Sequence, residues 1–288
     1  MSILLTSNTR AIVQGGTGRI GARQTDWMLQ AGTRLVGAVT PGKGGLDLHG
    51  LPVFDSVAEA VDRVQANASI LFVPAAYVKS AALEALEAGI QLLVVIAEHV
   101  PVYDTLEIRE ASRETGAVMI GPNTPGIISP GIGKLGIMPA NLFFVGRIGM
   151  LSRSGTLSYE VAGILQAAGI GVSTMIGVGG DPVIGTDMHE FVPRFAADPD
   201  TEALVIVGEI GGTQEERLAE ALEGYDLPVC AYIAGRTAPA GKRMGHAGAL
   251  MRHGQGSAAQ KAEILEDAGI RVAETPGMLP IVLGEALA

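Results

Sequence analysis

Residues 10–21 read RAIVQGGTGRIG. A short apolar run, Arg10 to Gln14, meets a cluster of glycines, and a helical pattern then continues through Trp27 and Met28. Gly16, Gly18 and Gly21 spell GxGxxG at that junction. Glycines there permit a tight turn and let a pyrophosphate approach the helix N-terminus, where unpaired amides and the helix dipole favour an anion. The plainer account, glycines that only make a turn, stays open on this stretch alone. A nicotinamide site would add an acidic residue about 20 residues on, at the end of the second strand, to hold the ribose. Here that strand, Arg34 to Val39, runs into Thr40, Pro41, Gly42, Lys43, Gly44 and Gly45. A lysine in that place favours phosphate, so a nucleotide-like anion is expected and a dehydrogenase reading is opposed.

Outward from this unit the same alternation repeats. Ser56 opens a helix with Glu59 completing a capping box, and Val57, Ala60, Val61 and Val64 share one face. SILFVP (69–74) is a strand, a helix ends at Gly89, and QLLVVIA (91–97) is the next strand. Asp104 and Glu107 are expected to cap a helix that Gly116 stops. In the second half the strands are IGMLS (148–152), GVSTMIG (171–177), EALVIVG (202–208) and PVCAYIA (228–234). Helices are expected to begin near Thr156, Asp187, Thr213 and Ser257, the last two with capping boxes to Glu216 and Gln260. Strand–helix alternation of this kind implies right-handed βαβ units and parallel sheets, an α/β fold. The Gly- and Pro-rich stretch 125–145 breaks the rhythm without a clear helix, which divides the chain into residues 1–145 and 146–288.

Composition agrees. Hydrophobic residues make up 48% and charged residues 17%, a balance suited to sheets covered on both faces. The charge-free run Val161 to Gly180 contains six glycines besides Gln166, Ser173 and Thr174, so it reads as helix end, turn, strand and loop rather than a membrane span. MSILLTSNTR shows no basic region followed by an apolar core, and a cytoplasmic location is expected. The net charge of −10 argues against a nucleic-acid surface. The single cysteine, Cys230, lies in an apolar run and reads as a small buried hydrophobe. His49, His99, His189 and His253 show no paired ligand spacing, so no metal site is expected.

Ligands of doubly wound sheets bind beyond the carboxyl ends of strands. The unusual segments all fall there: GGTGRIG, TPGKGG, EHVP, GPNTPG, SRSGT, GGDPVIG, GEIGG and GRTAPAGKRMGHAGA. SRSGT (152–156) joins a strand to a helix, and exposed amides with hydroxyls at a helix start can seat a phosphate. Ordinary capping would use the same residues. A nucleophile elbow at Ser154 is excluded, because Ser152 and Thr156 occupy the positions that pattern gives to glycine. Glu209 in GEIGG ends a strand, as a solvated turn residue or an orienter of a cationic partner. His246 stands between Gly245 and Ala247, open to something bulky, with Lys242 and Arg243 nearby in sequence to offset an anion. A lone histidine is more often structural; its place on a glycine-rich loop after a strand favours function.

Taken together, TPGKGG, GPNTPG, SRSGT, GGDPVIG, GEIGG and GKRMGHAGA resemble, in order and spacing, the alpha subunits of succinyl-CoA synthetase, also called succinate–CoA ligase, essentially from Met1 to Leu287. The resemblance implies an N-terminal Rossmann-like domain that binds coenzyme A through Thr17, Gly18, Arg19, Ile20, Lys43, Ile96, Ala97 and Glu98. It implies a C-terminal flavodoxin-like domain in which His246 is phosphorylated, Glu209 holds the imidazole, Ser154, Gly155 and Thr156 cradle the phosphate, and Tyr159 meets the acid substrate. The chain has no GxxxxGK[ST] loop, and in this family an ATP-grasp beta subunit carries ATP or GTP with magnesium. An αβ or α2β2 partner is therefore expected, with a small dicarboxylic acid and CoA as substrates. Departures from the family pattern fall at Ile20, Arg23, Gln24, Ala97, His99, Thr124, Ala140 and Asn141, near the expected CoA and acid positions. Malate–CoA ligase, with the same relay and a similar run from Ser257 to Pro276, stays open as an alternative, as does a CoA-binding module without turnover.

Overall fold

The computed structural model describes residues 3–239, 244–251 and 256–288; Lys242, Arg243 and His253 lie outside the described residues. The chain forms two compact units. One comprises Leu4–Met138 with Val183–Thr186, and the other is built mainly from Pro139–Pro182 and Asp187–Ala288.

The first unit begins β1 (Ala11–Gln14), α1 (Arg19–Gln30), β2 (Leu35–Val39), β3 (Asp47–Leu48), β4 (Leu51–Phe54) and α2 (Val57–Val64). It continues β5 (Ala68–Leu71), α3 (Ala75–Glu87), β6 (Leu92–Val95), α4 (Val102–Thr115) and β7 (Val118–Ile120). The sheet order is β3-β4-β2-β1-β5-β6-β7. Only the short β3–β4 pair is antiparallel; the others run parallel. Every residue of β1, β5, β6 and β7 is buried, which is why those strands read as unbroken apolar runs. Order reverses on either side of β1 and β5, the doubly wound switch point. The turn between β1 and α1 depends on its glycines: Gly15 has φ +72°, and a Cβ there would lie 2.6 Å from the Phe72 carbonyl oxygen.

Local expectations hold with shifts of partner. Ser56 caps α2 by accepting from the Glu59 amide (3.2 Å), while the Glu59 carboxylate accepts from the amide of Asp55 rather than of Ser56. Helix α4 starts behind Pro101 and ends at Gly116, φ 71°. Asp104 and Glu107, expected as caps, instead face Lys79 at 3.8 and 2.5 Å. The stretch 125–145 contains an antiparallel hairpin, β8 (Gly126–Ser129) with β9 (Gly133–Gly136), and a 3-10 turn at Ala140–Leu142. Glycines hid those strands from a pattern reading; Gly126 has φ +100° and touches the β9 backbone too closely for a Cβ.

The second unit contains β10 (Val145–Ser152), α5 (Gly155–Ala167), β11 (Val172–Gly177) and α6 (Val192–Ala196). It closes with β12 (Ala203–Glu209), α7 (Gln214–Ala221), β13 (Val229–Ala234), α8 (Ala258–Asp267), β14 (Arg271–Ala273) and α9 (Leu279–Ala286). These strands lie in the order β11-β10-β12-β13-β14, all parallel, the 2-1-3-4-5 order of flavodoxin-like sheets. Its switch point falls between β10 and β12. The helix expected near Asp187 begins as a 3-10 turn, Met188–Phe191, behind an Asp187–Glu190 capping box and ahead of the short α6. The box expected at Thr213 does not form, because the Glu216 carboxylate accepts from Lys261 Nζ at 2.8 Å. No helix among the described residues is long and apolar enough to cross a membrane.

Two helical glycines separate propensity from packing. Alanine is favoured over glycine inside a helix by up to about 1 kcal/mol. A Cβ on Gly163 of α5 meets nothing within 4 Å, whereas one on Gly21 of α1 collides with the Gly15 backbone. Gly163→Ala is expected to raise stability by about 0.5–1 kcal/mol and Gly21→Ala to lower it by about 1–3 kcal/mol, both read from denaturant unfolding.

Candidate active site

Strand β12 ends at Glu209 and β10 ends at Ser152, in adjacent and parallel register, with Ser152 beside Val207. The segments following these two ends form the site. Arg153 N–H extends the ladder to the Val207 carbonyl (3.1 Å), and Ser154 then breaks it as the N-cap of α5. Ser152 Oγ is turned inward, donating to the Ser154 carbonyl (2.7 Å) and accepting from the Ser154 amide (3.1 Å). Ser154 is buried and its Oγ accepts from the Leu157 amide at 3.4 Å. The outward groups at this helix start are therefore Gly155, half-buried, and Thr156, exposed; the amides of a first helical turn have no acceptor within the helix.

His246 faces Glu209. Its Nδ1 lies 2.9 Å from Oε2 and 3.1 Å from Oε1 of the carboxylate. The Glu209 side chain is 8% exposed and the His246 side chain 25%, so the carboxylate is covered while part of the ring is open. Glycine makes room for the ring: a Cβ on Gly180, in GGDPVIG, would stand 2.7 Å from His246 Nδ1. The histidine loop is held by its backbone, Gly248 N–H donating to the Gly180 carbonyl (3.0 Å) and Gly211 N–H to the Gly256 carbonyl (2.8 Å).

Behind Glu209 lies a buried charge cluster. Arg153 Nη1 donates to the Glu209 carbonyl (3.1 Å), the Gly211 carbonyl (2.7 Å) and Glu215 Oε1 (3.2 Å), and Nη2 lies 3.5 Å from Glu209 Oε1. Glu215 Oε1 also accepts the Glu209 amide (3.0 Å). Lys261 Nζ donates to Glu215 Oε2 at 2.5 Å and Glu216 Oε2 at 2.8 Å. Burial alone would push the Glu215 carboxyl up, but Arg153 and Lys261 outweigh it and hold it below the ordinary carboxylate range. Burial likewise pulls Arg153 down, and Glu215 with Glu209 reverses the sign. Sequence reading placed Arg153 inside a motif without assigning it, and passed over Glu215 and Lys261. One signal existed: Lys261 falls at helical spacing among Ala258, Ala262 and Leu265, the buried stripe of α8.

Tyr159 lies on α5, half-buried, and desolvation raises its phenol to about 12, so it stays a hydroxyl donor at neutral pH. In the first unit, Gly18 is the N-cap of α1, and Arg19 and Ile20 are the exposed first residues of that helix. Thr17 Oγ1 donates to Thr40 Oγ1 at 3.1 Å, joining this turn to the loop that carries exposed Lys43. Asp55 fixes that loop by accepting the Gly44 amide at 2.8 Å. Ile96 and Ala97, half-buried, and exposed Glu98 follow β6. All of these lie at the carboxyl ends of parallel strands. Among the described residues, Asp187, His189 and Glu190 bring metal-capable atoms within 4.8 Å of one another. The carboxylates already serve as a cap and as acceptors for Gln214 (2.7 Å) and Arg217 (3.3 Å).

Fold and site define a CoA ligase-type chain. The CoA binding domain model matches residues 6–99 and the CoA-ligase model residues 151–274. The alpha subunit of the ADP-forming succinate–CoA ligase of Methanothermobacter thermautotrophicus is 52% identical over 277 residues, 96% of this chain and 94% of that one. Alpha subunit 2 of the corresponding Archaeoglobus fulgidus enzyme is 50% identical over the full length of both. A subunit of the ADP-forming sulfoacetate–CoA ligase of Bilophila wadsworthia is 44% identical over 98% of both. The chain belongs to the succinate–CoA ligase alpha-subunit family, a group of ADP-forming acid–thiol ligases. A solved ATP citrate lyase of Methanothrix soehngenii, in complex with citrate and coenzyme A, shares the fold with a TM-score of 0.89 at 23% identity. That likeness covers 99% of this chain, which spans about half the length of that lyase chain.

Gly180→Ala is expected to leave the fold intact and displace His246 from Glu209, read from the histidine 15N spectrum. Tyr159→Phe should remove from the ultraviolet titration a phenol step near pH 12. Because folding raises this pKa above 10.0, its contribution to stability is present below pH 10 and lost as pH rises towards about 12; the variant should show a smaller alkaline loss than wild type.

Proposed function

We propose that this chain is the alpha subunit of an ADP-forming succinate–CoA ligase, and that His246 carries the phosphoryl group between nucleotide and acid. The observation that carries the reading is the His246–Glu209 pair at the switch point of the second sheet, with Nδ1 held at 2.9 Å by a covered carboxylate. Glu209 keeps a proton on Nδ1 and leaves Nε2 as the acceptor. Nε2 attacks the terminal phosphorus of the nucleotide, a nitrogen–phosphorus bond forms, and the nucleoside diphosphate leaves. The acid carboxylate then takes the phosphoryl group from Nε2, and the CoA thiol displaces phosphate from the acyl phosphate. Splitting the reaction this way gives each step a good leaving group. Glu209 offsets the positive charge the ring carries while phosphorylated, and the amides of Gly155 and Thr156 face the phosphoryl oxygens beside Ser154.

Coenzyme A is assigned to the N-terminal portion, residues 1–145, through Thr17, Gly18, Arg19, Ile20, Lys43, Ile96, Ala97 and Glu98. The phosphohistidine portion is residues 146–288, and Tyr159 offers its hydroxyl to the acid. The glycine turn supports a pyrophosphate there, with an exposed helix start at Arg19 and Ile20 and a lysine loop tied to it through Thr17 and Thr40. ATP or GTP with magnesium belongs to an ATP-grasp beta subunit in an αβ or α2β2 assembly, and a cytoplasmic setting in central carbon metabolism follows from the same reading.

The test mixes this chain with its beta subunit, γ-labelled ATP and a panel of succinate, malate and sulfoacetate. Acid-labile, base-stable label is expected on this chain, absent in His246→Ala, and discharged by succinate with CoA. Absence of label on wild type in the active mixture would refute the relay, and discharge by another acid alone would rename the substrate.

A further inference from the structure

We propose that Arg153 is a positioning residue for the His246–Glu209 pair, holding Glu209 so that the proton stays on His246 Nδ1 and Nε2 is presented outward. This rests on the relay proposed above and goes beyond it, since a side chain inside the SRSGT phosphate seat is assigned to the opposite task.

The geometry supports this division. A cation at a phosphate seat is expected to face the anion, yet Arg153 is 3% exposed and turned beneath the site. Its Nη1 spans two carbonyls of the GEIGG turn, Glu209 at 3.1 Å and Gly211 at 2.7 Å, and its Nη2 is 3.5 Å from the Glu209 carboxylate. Glu215 takes the Glu209 amide at 3.0 Å. Glu209 is thus fixed by its N–H, its C=O and its carboxylate, all through one buried pair. Lys261 neutralises the remaining Glu215 oxygen and reaches the Gly212 carbonyl at 3.1 Å. Only a planar fork with several fixed donors can hold two carbonyls and two carboxylates together. The cluster is a poor way to gain stability, because desolvation offsets most of the attraction between buried charges. Positional control of Glu209 is the gain that its geometry does supply. A carboxylate at Nδ1 fixes the tautomer that carries its proton there.

The experiment uses the αβ enzyme with two variants of this chain. Arg153→Met with Glu215→Gln removes opposite charges together and keeps an acceptor for the Glu209 amide. Arg153→Lys keeps the charge and removes the fork. Cooperative unfolding and CoA binding establish that each variant is folded. Expected for both is a loss of roughly 10- to 100-fold in the single-turnover rate of His246 labelling by γ-labelled ATP, the range typical for groups that orient a reacting imidazole. The 15N spectrum of His246 should lose its Nδ1–H signature in the same variants, which a generally weakened structure would not produce. A folded variant labelled at the wild-type rate overturns the inference, as does a slow variant whose ring keeps the Nδ1–H form. If the double variant does not fold, Arg153→Lys alone decides between these outcomes, and its failure to fold would place Arg153 in stability rather than positioning. Failure of the relay itself would show differently, as wild type without label on His246.

Discussion

Glu215 is the point on which the second unit's chemistry depends. It has no exposed surface, it bonds to Arg153 on one side and Lys261 on the other, and it takes the amide of Glu209. Removing either cation alone would leave a buried charge without its counter-charge, at a cost of several kcal/mol (~3–5). With both present the carboxylate is held ionised, and its lone pairs fix the last residue of β12. From there the order is geometric: β12 fixes Glu209, Glu209 fixes the imidazole, and Gly180 supplies the space the imidazole occupies. The flavodoxin-like strand order puts this chain of contacts at the one place where neighbouring crossovers diverge and leave a crevice.

Much of this was legible in the sequence because parallel strands bury both faces. AIVQ, ASIL and LLVV are wholly buried, and each stood out as part of an apolar run. Motifs at strand ends were legible for the same reason, since such ends are where non-apolar sequence can concentrate. The hairpin of β8 and β9 was not: GIIS and GKLG begin with glycines that signal turns in a local reading, and here they allow close backbone contact. Caps failed where a distant charge competed. Thr213 and Glu216 have the spacing of a capping box, but a buried ammonium 45 residues away takes the Glu216 carboxylate.

The site itself divides along the same line. His246 and Glu209 were readable as candidates because each sits on a glycine-rich end, and the structure joins them. Arg153 was opaque because a charged residue in sequence defaults to solvent, and only tertiary contacts show a cation turned inward. In the first unit, position was readable and chemistry less so. Ile20, 63% exposed at the start of α1, and Ala97 after β6 are apolar side chains at two of the positions where the sequence departs from the family pattern. The pyrophosphate contacts proposed for the backbone amides and the Lys43 loop do not depend on those two side chains.

The charge count in the second unit bears on why a relay would work there. Arg153 and Lys261 set two positive charges against the three carboxylates of Glu209, Glu215 and Glu216. Glu209, which shares Arg153 with Glu215, is the carboxylate that faces the ring, and in the proposed relay that ring turns cationic when its second nitrogen is phosphorylated. An unopposed carboxylate would hold that cation too well, and a stabilised intermediate is a slow donor. Arg153 at 3.5 Å moderates the same carboxylate from behind. Because Arg153 is turned beneath the site, the phosphoryl group of the proposed relay would meet the helix start at Gly155 and Thr156 rather than that guanidinium. Amides at a helix start attract an anion less strongly than a guanidinium fork does. A phosphoryl group held on such terms could be accepted and released in turn, which is what the proposed carrier between nucleotide and acid requires.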